Sequence, residues 1–489
     1  MRGITFGCVR RHQGDVESMC WRVKSAAVAI AIVGGAMPCG HAFATTLESA
    51  LAYTYVNNPQ LNAQRALVRA TDESVPTALA GYRPKASITA NAGLQSLSTT
   101  IREIGSTTSP TSPPSFFTQS GRNYPRGYGA TITQTLLNGF QTANRTRLAE
   151  SQVLAARETL RALEQTVLLN AATAYMNLLR DTAILELQRS NLEVLEEQLR
   201  QTRQRLESGN VTATDVSQAE SRVAVGRTQV FVAQASYQGS KAIYQQVIGI
   251  DPGRLSPASP VDRFSPHNVS AASAVAVSQH PNVGAAQYNV DAALIQVKIA
   301  EGALYPTLTL QGSFQKQFDT TLNGIEGLSA AVTGQLSVPI YQGGAEYAAI
   351  RQAKETQGQK QLDLNVARDQ ARASLLQAWA QLEAAKRSIE STRAQVKAAE
   401  AALNGVREEA RLGQRTTLDV LNAQQELVNA RIAMVSAQRD RVVNSYSVLA
   451  AVGRLSPQVL GLSVPAYDTT VHYHQVRDAW AGIRTPDGR

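Results

Sequence analysis

Aromatic residues are scarce in this 489-residue chain, at 6%, and charged residues reach only 17%. So little large apolar surface per residue cannot fill a thick core, and a sequence rich in Ala and Gln suits long, thin helical packing better. Cysteine is confined to Cys8, Cys20 and Cys39. All three precede a small-x-small cleavage motif, Ala42-Phe43-Ala44, which itself follows Lys24 and the apolar run from Ala26 to Gly35. This is the pattern of an export signal over residues 1–44, so the mature chain is expected to begin near Thr45 and to carry no thiol. Met19 offers a second start, because Met19-Cys20-Trp21-Arg22-Val23-Lys24 already supplies a short basic region. Cys39 follows Ala36-Met37-Pro38 rather than the aliphatic and small residues of a lipid-anchor signal.

Later in the chain, no run approaches the ~20 apolar residues of a membrane helix, which leaves a periplasmic, secreted or outer-membrane strand protein. The net charge of +9 falls to +6 once the leader's five basic and two acidic residues are removed. Without a basic cluster interleaved with aromatics, nucleic acid is not an expected partner. There is no nucleophile–base set, glycine-rich phosphate loop or HExxH helix, so the chain does not read as an enzyme and no cofactor is implied. His472-Tyr473-His474 has i, i+2 spacing with no Cys nearby; it reads as a surface segment rather than a metal site.

What the chain does have is an internal duplication. Glu207-Ser208-Gly209-Asn210-Val211-Thr212-Ala213-Thr214-Asp215-Val216 recurs 204 positions later as Arg411-Leu412-Gly413-Gln414-Arg415-Thr416-Thr417-Leu418-Asp419-Val420. Asn138-Gly139 and Gln342-Gly343 keep the offset, as do Val247-Ile248-Gly249 and Ala451-Val452-Gly453. Upstream, Asn58-Pro59 matches His280-Pro281 and Tyr82-Arg83-Pro84 matches Tyr305-Pro306, now 222 apart. Eighteen extra residues must therefore lie between Pro84 and Asn138, where Thr107 to Ser115 reads as an inserted loop.

Period-two alternation marks the strands. Leu308, Leu310, Gly312, Phe314 and Phe318 oppose Thr307, Thr309, Gln311, Ser313, Gln315 and Gln317, with Lys316 alone breaking the apolar face. Leu328, Ala330, Val332, Gly334, Leu336, Val338 and Ile340 form a second run. Ala86, Ile88, Ala90, Ala92 and Leu94, then Tyr128, Ala130, Ile132 and Leu136, repeat the signal in the first half. An uncharged Thr, Ser and Gln face opposite an apolar one fits a membrane strand between lipid and water, although a half-buried soluble sheet shares the period. Four strands cannot close a barrel and open edges are not tolerated in hydrocarbon, so a membrane reading requires several copies to share one barrel.

Between Gly139 and Glu207 there is no proline, and Leu178, Leu185, Leu192, Leu199 and Leu206 recur every seven residues. Leu382, Ile389, Val396, Leu403 and Ala410 keep the register in the second half. This stripe is a coiled-coil seam, and about 70 helical residues at ~1.5 Å each reach on the order of 100 Å. Val211 to Val247 and Thr416 to Val452 are about half as long; Thr46 to Leu79 and Ala271 to Ala303 supply the missing length. Each half thus reads as a strand pair with one helical hairpin, and Ile250 to Asn268 and Arg454 to Arg489 as a belt midway. The expected domains are a leader at 1–44, a first repeat at 45–268, a second at 269–465, and an equatorial or disordered tail at 466–489.

Taken together, the leader, the duplicated strand–strand–helix units, Tyr341-Gln342-Gly343-Gly344 after the fourth strand, and the Gly turns before Thr214-Asp215 and Leu418-Asp419 resemble the TolC family of outer-membrane channel-tunnel proteins over about residues 46–465. The resemblance implies a mixed α/β membrane protein: a homotrimer with four strands per protomer and twelve in its outer-membrane β-barrel, continuous with a periplasmic α-helical coiled-coil barrel. It implies an exit duct, opened when a periplasmic adaptor and an inner-membrane transporter, of the ABC or RND class, dock. Ser208, Gly209, Asn210, Leu412, Gly413 and Gln414 would be the adaptor-docking turns. Thr214, Asp215 and Arg415 would form the gate latch, and Asp419 and Asn422 the pore constriction. Two positions depart from the family pattern: the latch's aromatic partner is Ala410, and the second acidic ring is Asn422. Both departures imply a looser closure, and the second a lower affinity for cations.

Physically, Asp419 and Asn422 sit i, i+3 on one helix face, where symmetry would bring like charges together; a solvated helix N-terminus would hold an Asp equally well. Arg407 and Arg411 compete with Arg415 as partners for Asp215. The ending Tyr467-Asp468 and Val471 to Trp480 resembles secretion-associated members, pointing to type I export of RTX-type toxins or proteases. Multidrug efflux is the alternative, and a soluble periplasmic coiled-coil adaptor or scaffold is a third reading from a different class.

Overall fold

The computed structural model describes residues 45–103, 115–209, 211–266, 268–319 and 324–488. The leader with its three cysteines, most of the Thr107–Ser115 segment, and Asn210 lie outside the described residues. In chain order the elements are α1 (Leu47–Asn57), α2 (Pro59–Asp72), α3 (Ser74–Leu79), β1 (Lys85–Ala92), β2 (Gln95–Glu103), β3 (Ser115–Asn123), β4 (Arg126–Asn138), α4 (Gln141–Glu207) and α5 (Ala213–Ile248). Then follow α6 (Val269–Gln279), α7 (Pro281–Gly302), β5 (Thr307–Phe318), β6 (Glu326–Ser337), α8 (Ala345–Arg411), α9 (Thr417–Ala451), α10 (Pro457–Leu460) and α11 (Thr470–Val476).

Helices α4 and α8 are 67 residues each, and α5 and α9 are 36 and 35, in line with the lengths expected from the sequence. At ~1.5 Å per residue the long pair spans about 100 Å. Helices α2 and α7 start where Asn58 and His280 cap a Pro at the first position, each side chain accepting from the backbone of the first turn. Along α4 the leucine stripe is buried at Leu178 and Leu185 and progressively uncovered to Leu206 at the distal end. The main core surrounds the middle of α4, where Leu168, Tyr175 and Leu178 meet Leu51, Leu61, Tyr244, Ile248, Tyr446 and Leu449. The segments after α5 and α9 pack onto this core through Ile250, Leu255, Phe264, Val459 and Leu462. Buried Tyr175 ties them together: its hydroxyl lies 2.7 Å from the carbonyl oxygens of Thr45 and Ser256 and accepts the Ser256 N–H at 3.0 Å.

The strands form a four-stranded antiparallel sheet in the order β1-β4-β5-β6 and a two-stranded sheet β2-β3. The two sheets share one register, since moving three residues on from the Ala92–Arg126 pair reaches the Gln95–Asn123 pair. The break between them falls at Pro125, which has no N–H to donate, while Gly93 N–H still reaches the Pro125 carbonyl at 2.9 Å. The 18-residue excess is thus mainly strand, because β2 and β3 contribute nine residues each, and Ser115 belongs to β3 rather than to a loop. Strand β6 stops at Ser337, short of the expected Val338 and Ile340, where Pro339 ends the ladder.

Register aligns the apolar residues in rows across all four strands. Ala86, Ile132, Gly312 and Val332 form one row, and Ile88, Ala130, Phe314 and Ala330 the next. Ile88, Ile132, Phe314, Val332 and Leu336 are all exposed in the single chain. The alternate rows, such as Lys85, Thr133, Gln311 and Thr333, are polar. Lys316, the exception, reaches Glu326 at 3.3 Å and lies over the Phe318 ring. Among the described residues no helix is long and apolar enough to cross a membrane.

After Tyr467 the chain does not remain at the level of the main core. It runs beside α2, α3 and the start of α4, with Arg83 donating to the Ala479 carbonyl at 2.6 Å and stacking on Trp480. His472, expected on a surface segment, is instead buried and hydrogen-bonded to fully buried Asp72 at 3.1 Å. Among the described residues no group of His, Cys, Asp or Glu forms a metal cluster.

Candidate functional site

The candidate site is the pair of distal turns where each long helix reverses. Gly209 and Gly413 adopt φ of 73° and 76°, a left-handed conformation that costs a Cβ-bearing residue strain, so the helices end at the same place in both halves. Ser208 adds a side-chain bond from its hydroxyl to the Gln204 carbonyl, Leu412 is exposed, and the Gln414 N–H donates to the Glu409 carbonyl at 2.9 Å.

The next helix begins in a capping box on each side. Thr212 N–H and Oγ1 donate to Asp215 Oδ2 at 2.9 and 2.7 Å, and Asp215 N–H returns a bond to Thr212 Oγ1 at 3.3 Å. Thr416 and Asp419 repeat the arrangement at 3.0, 2.9 and 3.2 Å. Backbone hydrogen bonds from Thr212 and Thr416 hold both carboxyls below the usual carboxylate range. Within one chain, then, Asp215 and Asp419 do the same local work, and the bonds of Asp419 are those of a helix N-terminal residue. Arg415 does not meet Asp215 inside the chain: its Nε donates to Glu409 at 2.8 Å. Thr214 is exposed on the first turn of α5. Asn422 is exposed one turn after Asp419 and accepts a 2.6 Å bond from Arg222 of α5.

Several residues that brace the distal ends escaped the sequence reading. Arg227 pairs with Glu196 at 2.8 Å between α4 and α5, and Arg431 with Glu400 at 2.8 Å between α8 and α9. These pairs are 204 residues apart, so the offset that revealed the duplication could have found them. Arg203 pairs with Glu220 at 2.7 Å; its counterpart Arg407 meets a neutral Gln424 at 3.1 Å. Gln424 is buried and donates onward to Asn191 of α4 at 3.3 Å, linking the two hairpins. The apolar side of this link is Leu195, Val223 and Leu421, drawn from α4, α5 and α9.

Taken as a whole, the site is two charged, capped turns at the end of long helices, joined laterally by polar bridges. Among its described residues none positions a nucleophile against a base. Comparison with known proteins agrees with this geometry. The sequence profile described as "Outer membrane efflux protein" matches residues 51–249 and 273–454, one stretch in each half. The chain is 40% identical over 465 residues to the outer membrane efflux protein BepC of Brucella suis, covering 95% of this chain and 97% of that one. It is 26% identical over 330 residues to the alkaline protease secretion protein AprF of Pseudomonas aeruginosa, covering 65% and 68%. The crystal structure of the outer membrane protein VceC from Vibrio cholerae superposes with a TM-score of 0.67 at 20% identity, covering 83% of this chain and 96% of that one.

Proposed function

The chain belongs to the outer membrane efflux protein family, of the TolC type, and from that premise we propose that it is the exit duct of a tripartite export machine, serving efflux of small molecules. It is an outer-membrane channel that extends into the periplasm, not an enzyme, and membership removes the soluble scaffold from consideration. The observation that carries the proposal is the sheet's unpartnered apolar face. Rows such as Ala86, Ile132, Gly312 and Val332 lie uncovered across four strands, opposite polar rows whose residues are nearly all uncharged, as lipid on one side and water on the other require.

With β1 and β6 as free edges, the sheet is completed when β6 of one copy pairs with β1 of the next; three copies supply twelve strands. The exposed Phe231 and Val232 on α5 and Leu362 and Val366 on α8 would be covered by neighbouring copies at two different levels of the helical tube. In such a homotrimer the turns at Ser208, Gly209 and Asn210 and at Leu412, Gly413 and Gln414 point to the periplasmic adaptor, and Asp419 and Asn422 face the narrow bore. Thr214, Asp215 and Arg415 would latch neighbouring copies, with Glu409 competing for Arg415 inside each. Energy comes from a separate inner-membrane transporter.

The near-complete match to the efflux protein BepC supports efflux as the first reading; export of a protein is the second, supported by the similarity to AprF and by the tail. A deletion strain separates them. Efflux predicts dye accumulation and drug hypersensitivity with secreted proteins unchanged. Retention of a secreted protein with unaltered drug tolerance would reverse the choice.

A further inference from the structure

Arg222 lies seven residues after Asp215 on α5, nearly two helical turns, so the two share a helix face. Its Nη2 donates to Asn422 Oδ1 at 2.6 Å. Five neighbouring arginines of the distal ends are matched by carboxylates, Arg203 by Glu220, Arg227 by Glu196, Arg411 by Glu408, Arg415 by Glu409 and Arg431 by Glu400, while Arg407 meets the buried amide of Gln424. Arg222 is held by an exposed amide, that of Asn422. Among the described residues no carboxylate lies within ion-pair distance of it, and the amide that fixes its position leaves its charge uncancelled. Nor is this cation repeated, since Glu426 stands 204 residues after Arg222 and Gln218 stands 204 before Asn422.

We propose that Arg222 is a specificity-determining residue of the duct, placing a fixed positive charge beside Asp419 at the narrow end so that anionic solutes pass a constriction that carboxylates alone would close to them. The proposal rests on the reading that Asp419 and Asn422 face the bore. One helical turn is about 5.4 Å, less than the ~8 Å over which physiological salt screens, so a solute passing Asp419 meets both charges together. A narrow bore with low-dielectric walls strengthens that field. Asn422 is integral to the device: an aspartate there would pair with Arg222 and cancel it, whereas the amide orients the guanidinium and leaves it charged.

The test is the reversal potential of the purified full-length protein in planar bilayers under a KCl gradient, with assembly of each variant checked by its heat-modifiable migration. Arg222→Gln should raise the ratio of potassium to chloride permeability about twofold or more, and Arg222→Lys should leave it near wild type. Asn422→Asp should move the ratio in the same direction as Arg222→Gln, and Asp419→Asn in the opposite one. If Asp419→Asn shifts the ratio and Arg222→Gln does not, the proposal is overturned while the constriction stands. If neither shifts it, the constriction reading fails and takes the proposal with it. A shift with Arg222→Gln but not with Asp419→Asn removes Asp419 from the bore and overturns the proposal, which sets the two charges side by side at one constriction. Higher conductance at an unchanged ratio in Arg222→Gln assigns Arg222 a bracing role instead and also overturns the proposal.

Discussion

Gln424 of α9 donates to Asn191 of α4 at 3.3 Å, a bond between the two hairpins made by side chains that are both buried. The equivalent of Gln424 in the first half is Glu220, which is exposed and paired with Arg203. A carboxylate in the buried position would have to shed its hydration, whereas a satisfied amide need not. This divergence of the repeats is therefore what lets one copy's helix pair lean on the other. Gln424→Ala leaves Asn191 and Arg407 without partners and should cost about 1–3 kcal/mol. Asn191→Ala should show a coupling of roughly 1 kcal/mol with it in a double-mutant cycle. Hydrogen exchange at the distal ends of α4 and α9 measures both; additive losses would mean that the two side chains act separately.

Arg415 has a partner within its own chain, Glu409, at 2.8 Å. Arg415→Glu sets two carboxylates against each other across the turn and should raise the closed-state conductance in planar bilayers. The informative variant is the exchange Glu409→Arg with Arg415→Glu. Restored wild-type conductance would confine the role of Arg415 to this local pair. Conductance that stays high would mean that Arg415 must also reach a second partner, such as Asp215 of a neighbouring copy.

Much of this arrangement is legible without coordinates, for physical reasons that differ by element. The proline-free run between Gly139 and Glu207 and its heptad leucines announce a long helix, because both helix continuity and its seam leave local marks. Gly209 and Gly413 mark the tips for the same reason. The ribbon β2-β3 was hidden because Ser and Thr alternate with too little hydrophobic contrast to separate strand from loop. Asn191 with Gln424 was hidden for a deeper reason. A repeat offset relates each residue to its own copy's equivalent, but this bond joins non-equivalent positions of the two copies. His472 was misjudged because position near a terminus suggests exposure, while its burial depends on Asp72, 400 residues away.

Acid should act on the two ends of the helices in opposite senses. Hydrogen bonds hold Asp215 and Asp419 below the usual carboxylate range, so their caps contribute above that range and are lost as pH falls through the depressed folded values. Burial pushes Asp72 and Glu164 up, so in the window from the usual range to their raised values the folded state binds more protons than the unfolded one. Stability contributed there falls as pH rises. Hydrogen exchange, corrected for intrinsic rates, should show the tips losing protection in acid while the Asp72 region gains it. A uniform response of both regions would contradict these assignments.

Tyr175→Phe removes one oxygen from the core, yet that oxygen serves Thr45 and both backbone groups of Ser256. Burial has pushed its hydroxyl up to about 12, so it remains a neutral donor throughout the working range. The substitution should cost about 1–3 kcal/mol, since the Ser256 carbonyl loses its partner and the Thr45 carbonyl and Ser256 N–H keep only each other. Faster exchange confined to residues 45–51 and 253–257 would identify this loss. Unaltered protection in those segments would show that the parallel bridge between Thr45 and Leu255 suffices alone.

In the proposed barrel, adjacent residues of β6 would separate lipid from water. Val332 is 78% exposed in the single chain and lies in the row with Ala86, Ile132 and Gly312, whereas Thr333 lies in the polar row with Lys85, Thr133 and Gln311. An arginine at a lipid-facing position near the bilayer midplane costs about 2–4 kcal/mol, while a lumen-facing one keeps its hydration. Val332→Arg should therefore reduce the heat-modifiable assembled protein in outer-membrane fractions, and Thr333→Arg should assemble normally while altering conductance. In a soluble sheet both side chains would be charged neighbours on a hydrated surface, and the two variants would behave alike. A difference of one residue in position thus carries the full contrast between a membrane wall and an ordinary sheet, because a strand turns each successive side chain to the opposite face.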